Sequence, residues 1–313
     1  MSTLPVIAAV DGSDDSLRAL EWAIGAARAR GVPLRVVHVR QYAHWVQPEV
    51  LTAGPPDPVD DPVLDQVRAI LDARPDGPVT EYVGLEGAPS ALLPELGATA
   101  QLMVLGSRGR GGFASLLLGS NGVAAARDAA CPVVVVPRPD RRAHAPDDAA
   151  SAAGPGPRVV LGLHVDNPDD AALAFAFAEA ARRGARLHVV AAYAWPTRTW
   201  AAPGDYVPPS AEDRDAVEAE TRTLADGLLA PHRDKQPDTP VDLSVAPGDA
   251  AGHLVAASAG ADLVVVGRHR RRPLAPARMT GSVTQAVLLH AVSPVAVVPP
   301  APHRDECTAA PGD

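Results

Sequence analysis

The sequence predicts an α/β fold of two tandem, doubly wound, parallel-sheet domains of the Rossmann-like kind, and three observations lead there. Short apolar runs alternate with stretches of helical period, the order expected of βαβ units with right-handed crossovers. This order occurs twice: 6–10 returns as 159–163, 34–37 as 187–190, 102–106 as 263–267 and 131–137 as 293–299, at offsets of 153, 153, 161 and 162 residues. Solenoid repeats are far shorter, so such a period marks duplicated domains. Thirdly, a turn rich in glycine, Gly106-Ser107-Arg108-Gly109, follows one apolar run, and ten residues later comes Gly119-Ser120-Asn121. Ligands of doubly wound sheets sit beyond the carboxyl ends of the strands, where the strand order reverses.

The elements follow in order. Apolar residues 5–10 read as a strand, then Leu17, Leu20, Ile24 and Ala27 share one face of a helix over 14–30 that Gly31 ends. A strand covers 34–39. Five prolines between 41 and 62 predict an irregular loop. Val63, Val67, Ile70 and Leu71 give a second amphipathic helix, residues 80–83 a short strand, and Leu92, Leu93 and Leu96 a third helix. Strand 101–105, the glycine turn, a helix from Asn121 and strand 133–136 complete the unit. The second half repeats the scheme with helices near 169–183 and 211–229, the latter with an inner stripe of Val217, Thr221, Leu224 and Leu228. We therefore expect a first domain over 1–139, a Pro- and Gly-bearing linker over 140–157, a second domain over 158–300 and a disordered tail over 301–313.

At 313 residues, each half is long enough to bury a core. Hydrophobic residues are 47% but aromatics only 4%, so Val, Leu and Ala must fill the interior, which suits parallel strands under alanine-rich helices. No apolar run approaches the roughly 20 residues that cross a bilayer, and the N-terminus shows no basic, signal-like segment. Cys131 and Cys307 are far apart in sequence, which fits a reducing cytoplasm better than a disulfide. The net charge of −9 disfavours general nucleic-acid affinity. The basic run Arg268-His269-Arg270-Arg271-Arg272 reads as a solvated loop, with no groove-reading helix or interleaved aromatics beside it. His38, His44 and His188 lack zinc spacing, so no structural metal is expected.

The glycine turn suggests a nucleotide site. Glycines after a strand permit left-handed turns and close backbone approach, and the helix that follows Gly119 offers its first amides to a phosphate. Asp11-Gly12-Ser13, after the first strand, lies at a carboxyl end too. Asp11 is placed to meet an adenine amino group or a ribose hydroxyl, while the alternative for this turn is plain helix capping by Asp11, Ser13 or Asp14. Gly106, Gly109, Gly119 and Ser120 have the spacing Gly-x2-Gly-x9-Gly-Ser/Thr, and in this the chain resembles the universal stress protein family in its tandem form. The resemblance spans residues 4–139 and 157–300.

The resemblance implies an adenine nucleotide hydrolase-like fold that binds ATP, with or without magnesium. It places Ala9 and Val39 against the adenine, Asp11, Gly12 and Ser13 beside the ribose or base, and Gly106, Ser107, Gly109, Gly119, Ser120 and Asn121 around the phosphates. Arg108 and Arg110 stand where their charge would offset phosphate, although arginines are also common on exposed loops. In the second half His164 replaces Asp11, Val165 replaces Gly12 and Arg270 replaces Gly109, while Gly267, Gly281 and Ser282 persist as a degenerate second site. No lysine-bearing phosphate loop or nucleophile elbow is present, so we expect no enzyme, or at most incidental ATP hydrolysis. The family dimerises through its last strand, which implies pairing of the two domains through 133–136 and 295–298 and further association to a homodimer. The functional expectation is a cytoplasmic, nucleotide-dependent stress sensor or regulator, with a nucleotide-independent scaffold as the alternative.

Overall fold

The computed structural model describes residues 3–41, 61–74, 76–109, 118–139, 156–195, 211–268 and 281–301. Ten strands form one sheet in the order β3-β2-β1-β4-β5-β10-β9-β6-β7-β8. They are β1 (Val6–Val10), β2 (Leu34–Arg40), β3 (Thr80–Glu86), β4 (Leu102–Gly106), β5 (Val133–Val136), β6 (Arg158–Leu163), β7 (Arg186–Tyr193), β8 (Val241–Pro247), β9 (Leu263–Gly267) and β10 (Val295–Val298). Within each half all pairs are parallel, and the strand order reverses between β1 and β4 and between β6 and β9. Val6 faces Leu34 and Leu102, just as Val159 faces Leu187 and Leu263, so the registers make the duplication exact to the residue in these strands.

Helices cover both faces because the strands are apolar on both sides. Val6, Ala8 and Val10 point to the face carrying α1 (Asp14–Arg30), α2 (Pro62–Asp72), α5 (Asp170–Arg183) and α6 (Ala211–Lys235). Ile7, Met103 and Leu105 point to the other, under α3 (Pro89–Leu96), α4 (Ser120–Asp128), α7 (Ala250–Ser258) and α8 (Ser282–His290). Each apolar layer runs through both halves without a break. Burying one Val or Leu side chain is worth roughly 1.5–3 kcal/mol, so these layers are the main source of stability.

The helix boundaries have local causes. Ser13 caps α1 by accepting from the Ser16 amide, and Gly31 ends it at φ 62°, a left-handed conformation that glycine adopts without strain. Pro62 is the first residue of α2, behind an Asp61 cap, and is therefore not part of the expected loop; residues 42–60 of that loop lie outside the described residues. The helix expected from Asn121 starts at Ser120. The inner stripe of α6 is Thr221, Ala225, Leu229 and His232, whereas Leu224 is 46% exposed. Two stripes one residue apart compete on this helix; the one with the smaller Ala225 packs inward, and His232 stacks on Phe177 at 5.3 Å.

β5 and β10 run antiparallel, with Val134 opposite Ala296. These two positions are equivalent in the duplication, so a pseudo-twofold axis passes between them and the strands of the two halves point in opposite directions. Beside this seam, Arg30 of α1 reaches Glu179 of α5 at 2.5 Å; their side chains are 5% and 1% exposed. Arg182 and Arg183 bind the same carboxylate, and the Arg183 guanidinium lies 5.1 Å from the centre of the Trp22 ring.

Candidate functional site

The reversal between β1 and β4 leaves a crevice at their carboxyl ends, flanked by the Asp11 turn and the Gly106 turn. Gly12 has φ 75°, which makes it the glycine of the first turn with real conformational need. The turn is wired internally: Asp11 Oδ1 accepts from the Ser13 amide at 3.0 Å and the Ser13 hydroxyl at 2.6 Å, and the Asp11 amide donates to Ser16 Oγ at 3.3 Å. Capping and orientation of Asp11 are thus one hydrogen-bonded unit. The other carboxylate oxygen, Oδ2, lies where a side chain on Gly109 would begin, so the two turns touch across the crevice.

The glycines of the second turn do not adopt the left-handed conformation expected of them; Gly106, Gly109 and Gly119 all lack positive φ. Their reason is space. A Cβ on Gly106 would stand 2.7 Å from the backbone C and O of Asp15, in the first turn of α1. One on Gly109 would strike the Asp11 carboxylate. At Gly119 the nearest atom would be Ser107 O at 3.6 Å, an ordinary contact. Gly119 is the N-cap of α4, and among the described residues no side-chain cap is made there. Its amide donates to Ser107 O at 2.8 Å, while the Ser107 amide donates to Val136 O at 2.9 Å. The turn therefore hangs from β5 and delivers the amino end of α4, with its partial positive charge, to the crevice.

The crevice holds about 550 Å³ of open space. Of the residues singled out from sequence, Ala9, Asp11, Val39, Gly106, Arg108, Gly109, Gly119 and Asn121 line it together. Gly12, Ser13, Ser107 and Ser120 do not line it; Ser13 holds Asp11, and Ser107, 1% exposed, ties the turn to β5 and α4. Arg110 lies outside the described residues. Sequence reasoning missed Val10, Ser16, Val37, Pro89, Leu93, Leu105 and Gly122. Val37 was accessible by strand alternation, since it shares a face with Val39; Pro89 and Leu93 belong to α3, whose placement over the crevice has no local signal. One end of the cleft is therefore an apolar slot between Val37, Val39 and Leu93, and the other is polar, with backbone amides, Asn121 and Arg108.

The equivalent crevice of the second half holds about 900 Å³. Gly267 lines it, whereas Gly281 and Ser282 do not. His164 faces it in place of Asp11 and accepts from the Asn167 amide at 3.1 Å. Arg268 also lines it and extends to donate to Ala129 O of the first half at 2.7 Å; the rest of the basic run, 269–272, lies outside the described residues. His38 binds Asp61 at 2.7 Å and His188 binds Ser244 Oγ at 2.8 Å, and among the described residues no three His, Cys, Asp or Glu side chains gather as metal ligands. Among them, too, no helix is long and apolar enough to cross a membrane.

Comparison with known proteins adds the following. The model of the universal stress protein family matches residues 4–137 and again 157–299. A universal stress protein of Mycobacterium tuberculosis strain H37Rv is 34% identical over 301 residues, covering 93% of this chain and 96% of its own. One of Mycolicibacterium smegmatis is 29% identical over 309 residues, covering 94% and 97%. Among solved structures, a universal stress protein of Archaeoglobus fulgidus superposes with a TM-score of 0.63 at 18% identity, over 96% of this chain and 99% of that one.

Proposed function

The chain belongs to the universal stress protein family, with two family domains in tandem, and from that premise we propose that it is a cytoplasmic sensor or regulator that binds ATP in its first-domain crevice. One observation carries this reading. At a single switch point the fold brings together apolar side chains of Val37, Val39 and Leu93, a carboxylate held in place by Ser13, and the amino end of α4, where Gly119 as N-cap offers no capping side chain. In this reading Val37, Val39 and Leu93 sandwich adenine, Asp11 accepts from the base or ribose, and the amides from Gly119 onward, with Asn121 and Arg108, meet the phosphates.

Magnesium fits only as a companion of the triphosphate. Among the described residues Asp11 is the single carboxylate lining the crevice and its Oδ1 is already engaged by Ser13, so most ligands of such an ion would be phosphate oxygens and water. Among the described residues no lysine and no histidine lines the crevice, which supports a binding protein over a catalyst. Regulation then requires the nucleotide to prefer one conformation or one complex over another. Since β5 and β10 pair with each other, a homodimer would use other surfaces; light scattering across concentrations tests for it.

Calorimetric titration with ATP tests the main reading. Wild type should bind at micromolar to low millimolar concentration, and Gly109→Arg, which copies the second half and drives a side chain into Asp11, should abolish the heat. Equal heats from both proteins would overturn it.

A further inference from the structure

We propose that Arg268 of the second domain is a positioning residue for the first-domain crevice: it holds the carboxyl end of α4, so that the amino end of that helix is set for phosphate. The inference rests on the nucleotide reading above. The Arg268 guanidinium donates to Ala129 O at 2.7 Å. Ala129 is the C-cap of α4, so its carbonyl is one that the helix itself leaves without a partner. A cation there meets the negative end of the helix dipole. α4 has nine residues, and at about 1.5 Å each its ends lie about 13 Å apart. One end of this short rod stands at the crevice, and the other rests on a side chain of the other half.

The duplication shows that this contact is particular to the first half. Arg268 and Ser107 are equivalent, since their amides donate to Val298 O and Val136 O. Ala129 and Ala291 are equivalent too, as the C-caps of α4 and α8. The contact mirrored across the pseudo-twofold axis would run from residue 107 to Ala291. It is not made: Ser107 is 1% exposed, and among the described residues its hydroxyl has no hydrogen-bond partner. The end of α8 is tied from within its own half instead. Ser258, the last residue of α7, accepts from the Val292 amide at 3.1 Å and donates to Val255 O at 2.6 Å. Its first-half counterpart is Gly97, because the Ala100 amide donates to Gly97 O as the Ala261 amide does to Ser258 O. A Cβ on Gly97 would stand 2.9 Å from Ala130 N and 3.0 Å from the Ala129 Cβ, so no such side chain fits there. One helix end is therefore held by its own domain and the other by the opposite domain. The helix held from outside is the one whose amino end opens on the nucleotide crevice. Through Arg268 the second domain sets the ATP affinity of the first.

Hydrogen exchange and calorimetry on the full chain test this together. In Arg268→Met, the amides of residues 120–128 should exchange faster than in wild type, while those of residues 282–290 should not change. ATP should bind about fivefold more weakly or worse, whereas adenosine, which has no phosphate to meet α4, should keep its affinity. Arg268→Lys retains a cation at the helix end and should recover most of the loss. Ser258→Ala is the counterpart: it should loosen residues 282–290 and leave ATP affinity as in wild type. Unchanged exchange over 120–128, or an equal loss of affinity for adenosine, would overturn the inference. Heat absent from wild type itself would sink the nucleotide reading and this inference with it; heat present and unaffected by Arg268→Met would sink this inference alone. Should Arg268→Met not fold, Arg268→Gln, which also removes the charge, is read by the same outcomes.

Discussion

Gly106→Ala and Gly119→Ala separate what the fold asks of the glycine turn from what a ligand asks. The added methyl on residue 106 would lie 2.7 Å from backbone atoms of Asp15, and ordinary contact starts at 3.4 Å. Backbone cannot swing aside as a side chain can, so the first turn of α1 must lift from β4 by about 0.7 Å, against a packed core. The same turn holds Asp15, 3% exposed between Arg18 and Arg138, and presents the Ser13 cap. Overpacking of this kind costs about 1–3 kcal/mol, equivalent to a melting temperature lower by about 3–10 °C. At residue 119 the nearest contact is 3.6 Å, so alanine should cost less than about 1 kcal/mol, chiefly through the poorer N-cap. Its methyl would nevertheless stand where phosphate must approach, and ATP affinity should fall tenfold or more. Urea unfolding by circular dichroism, with calorimetry on the same samples, reads both quantities. A Gly106→Ala protein as stable as wild type, or a Gly119→Ala protein that binds ATP unimpaired, would refute this division of labour.

Three further outcomes follow from the geometry. Burial, opposed by the Glu179 charge and reinforced by Arg182 and Arg183, holds the Arg30 guanidinium below its usual range, so Glu179→Ala leaves a buried cation without its acid; the loss should be about 3–5 kcal/mol in denaturant unfolding, and a loss under about 1 kcal/mol would contradict the pairing. Burial raises Asp61, but the His38 hydrogen bond and the Leu64 and Val63 amides outweigh it and leave its carboxyl below the ordinary 3.8. Its stabilisation is then present above pH 3.8 and lost as pH falls further; Asp61→Asn should lose about 1–2 kcal/mol at neutral pH and show a flatter acid limb than wild type in pH-dependent melts. Burial pushes the Cys131 thiol up to about 12, so in a Cys307→Ser background iodoacetamide at pH 8 should label the protein only after unfolding; rapid native labelling would show an opened core.

Most of the frame was legible because its causes are local. Gly31 stops α1 in a left-handed conformation, and the strand-to-helix alternation marks the main elements of the first half, while β8, α7 and α8 of the second were expected only as a repeat of that scheme. The crevice residues supplied by strand ends were legible for the same reason, since a doubly wound sheet places them by rule. What escaped depends on tertiary placement. Leu93 reaches the crevice only because α3 crosses it, and the inward stripe of α6 includes His232, which stacks on Phe177 of α5, a contact that no local pattern announces. The glycines of the motif look alike in sequence but have different reasons: Gly106 admits a helix backbone, Gly109 admits a carboxylate, and the fold makes no comparable demand at Gly119.

The seam shows why the two halves are not interchangeable. Gly31 and Gly184 end equivalent helices, so Arg183 corresponds to Arg30 and Ala26 to Glu179. Both arginines meet the one glutamate near the pseudo-twofold axis. Two first domains joined in this way would bring two Arg30 side chains together with no acid between them. That arrangement would leave Arg30, whose side chain is 5% exposed, without an acid, a cost of several kcal/mol. The covalent pair sets Glu179 of the second half between Arg30 of the first half and Arg182 and Arg183 of its own. Because β5 and β10 pair antiparallel, the two crevices open at opposite ends of the strands, and the asymmetric charge cluster fixes which half faces which.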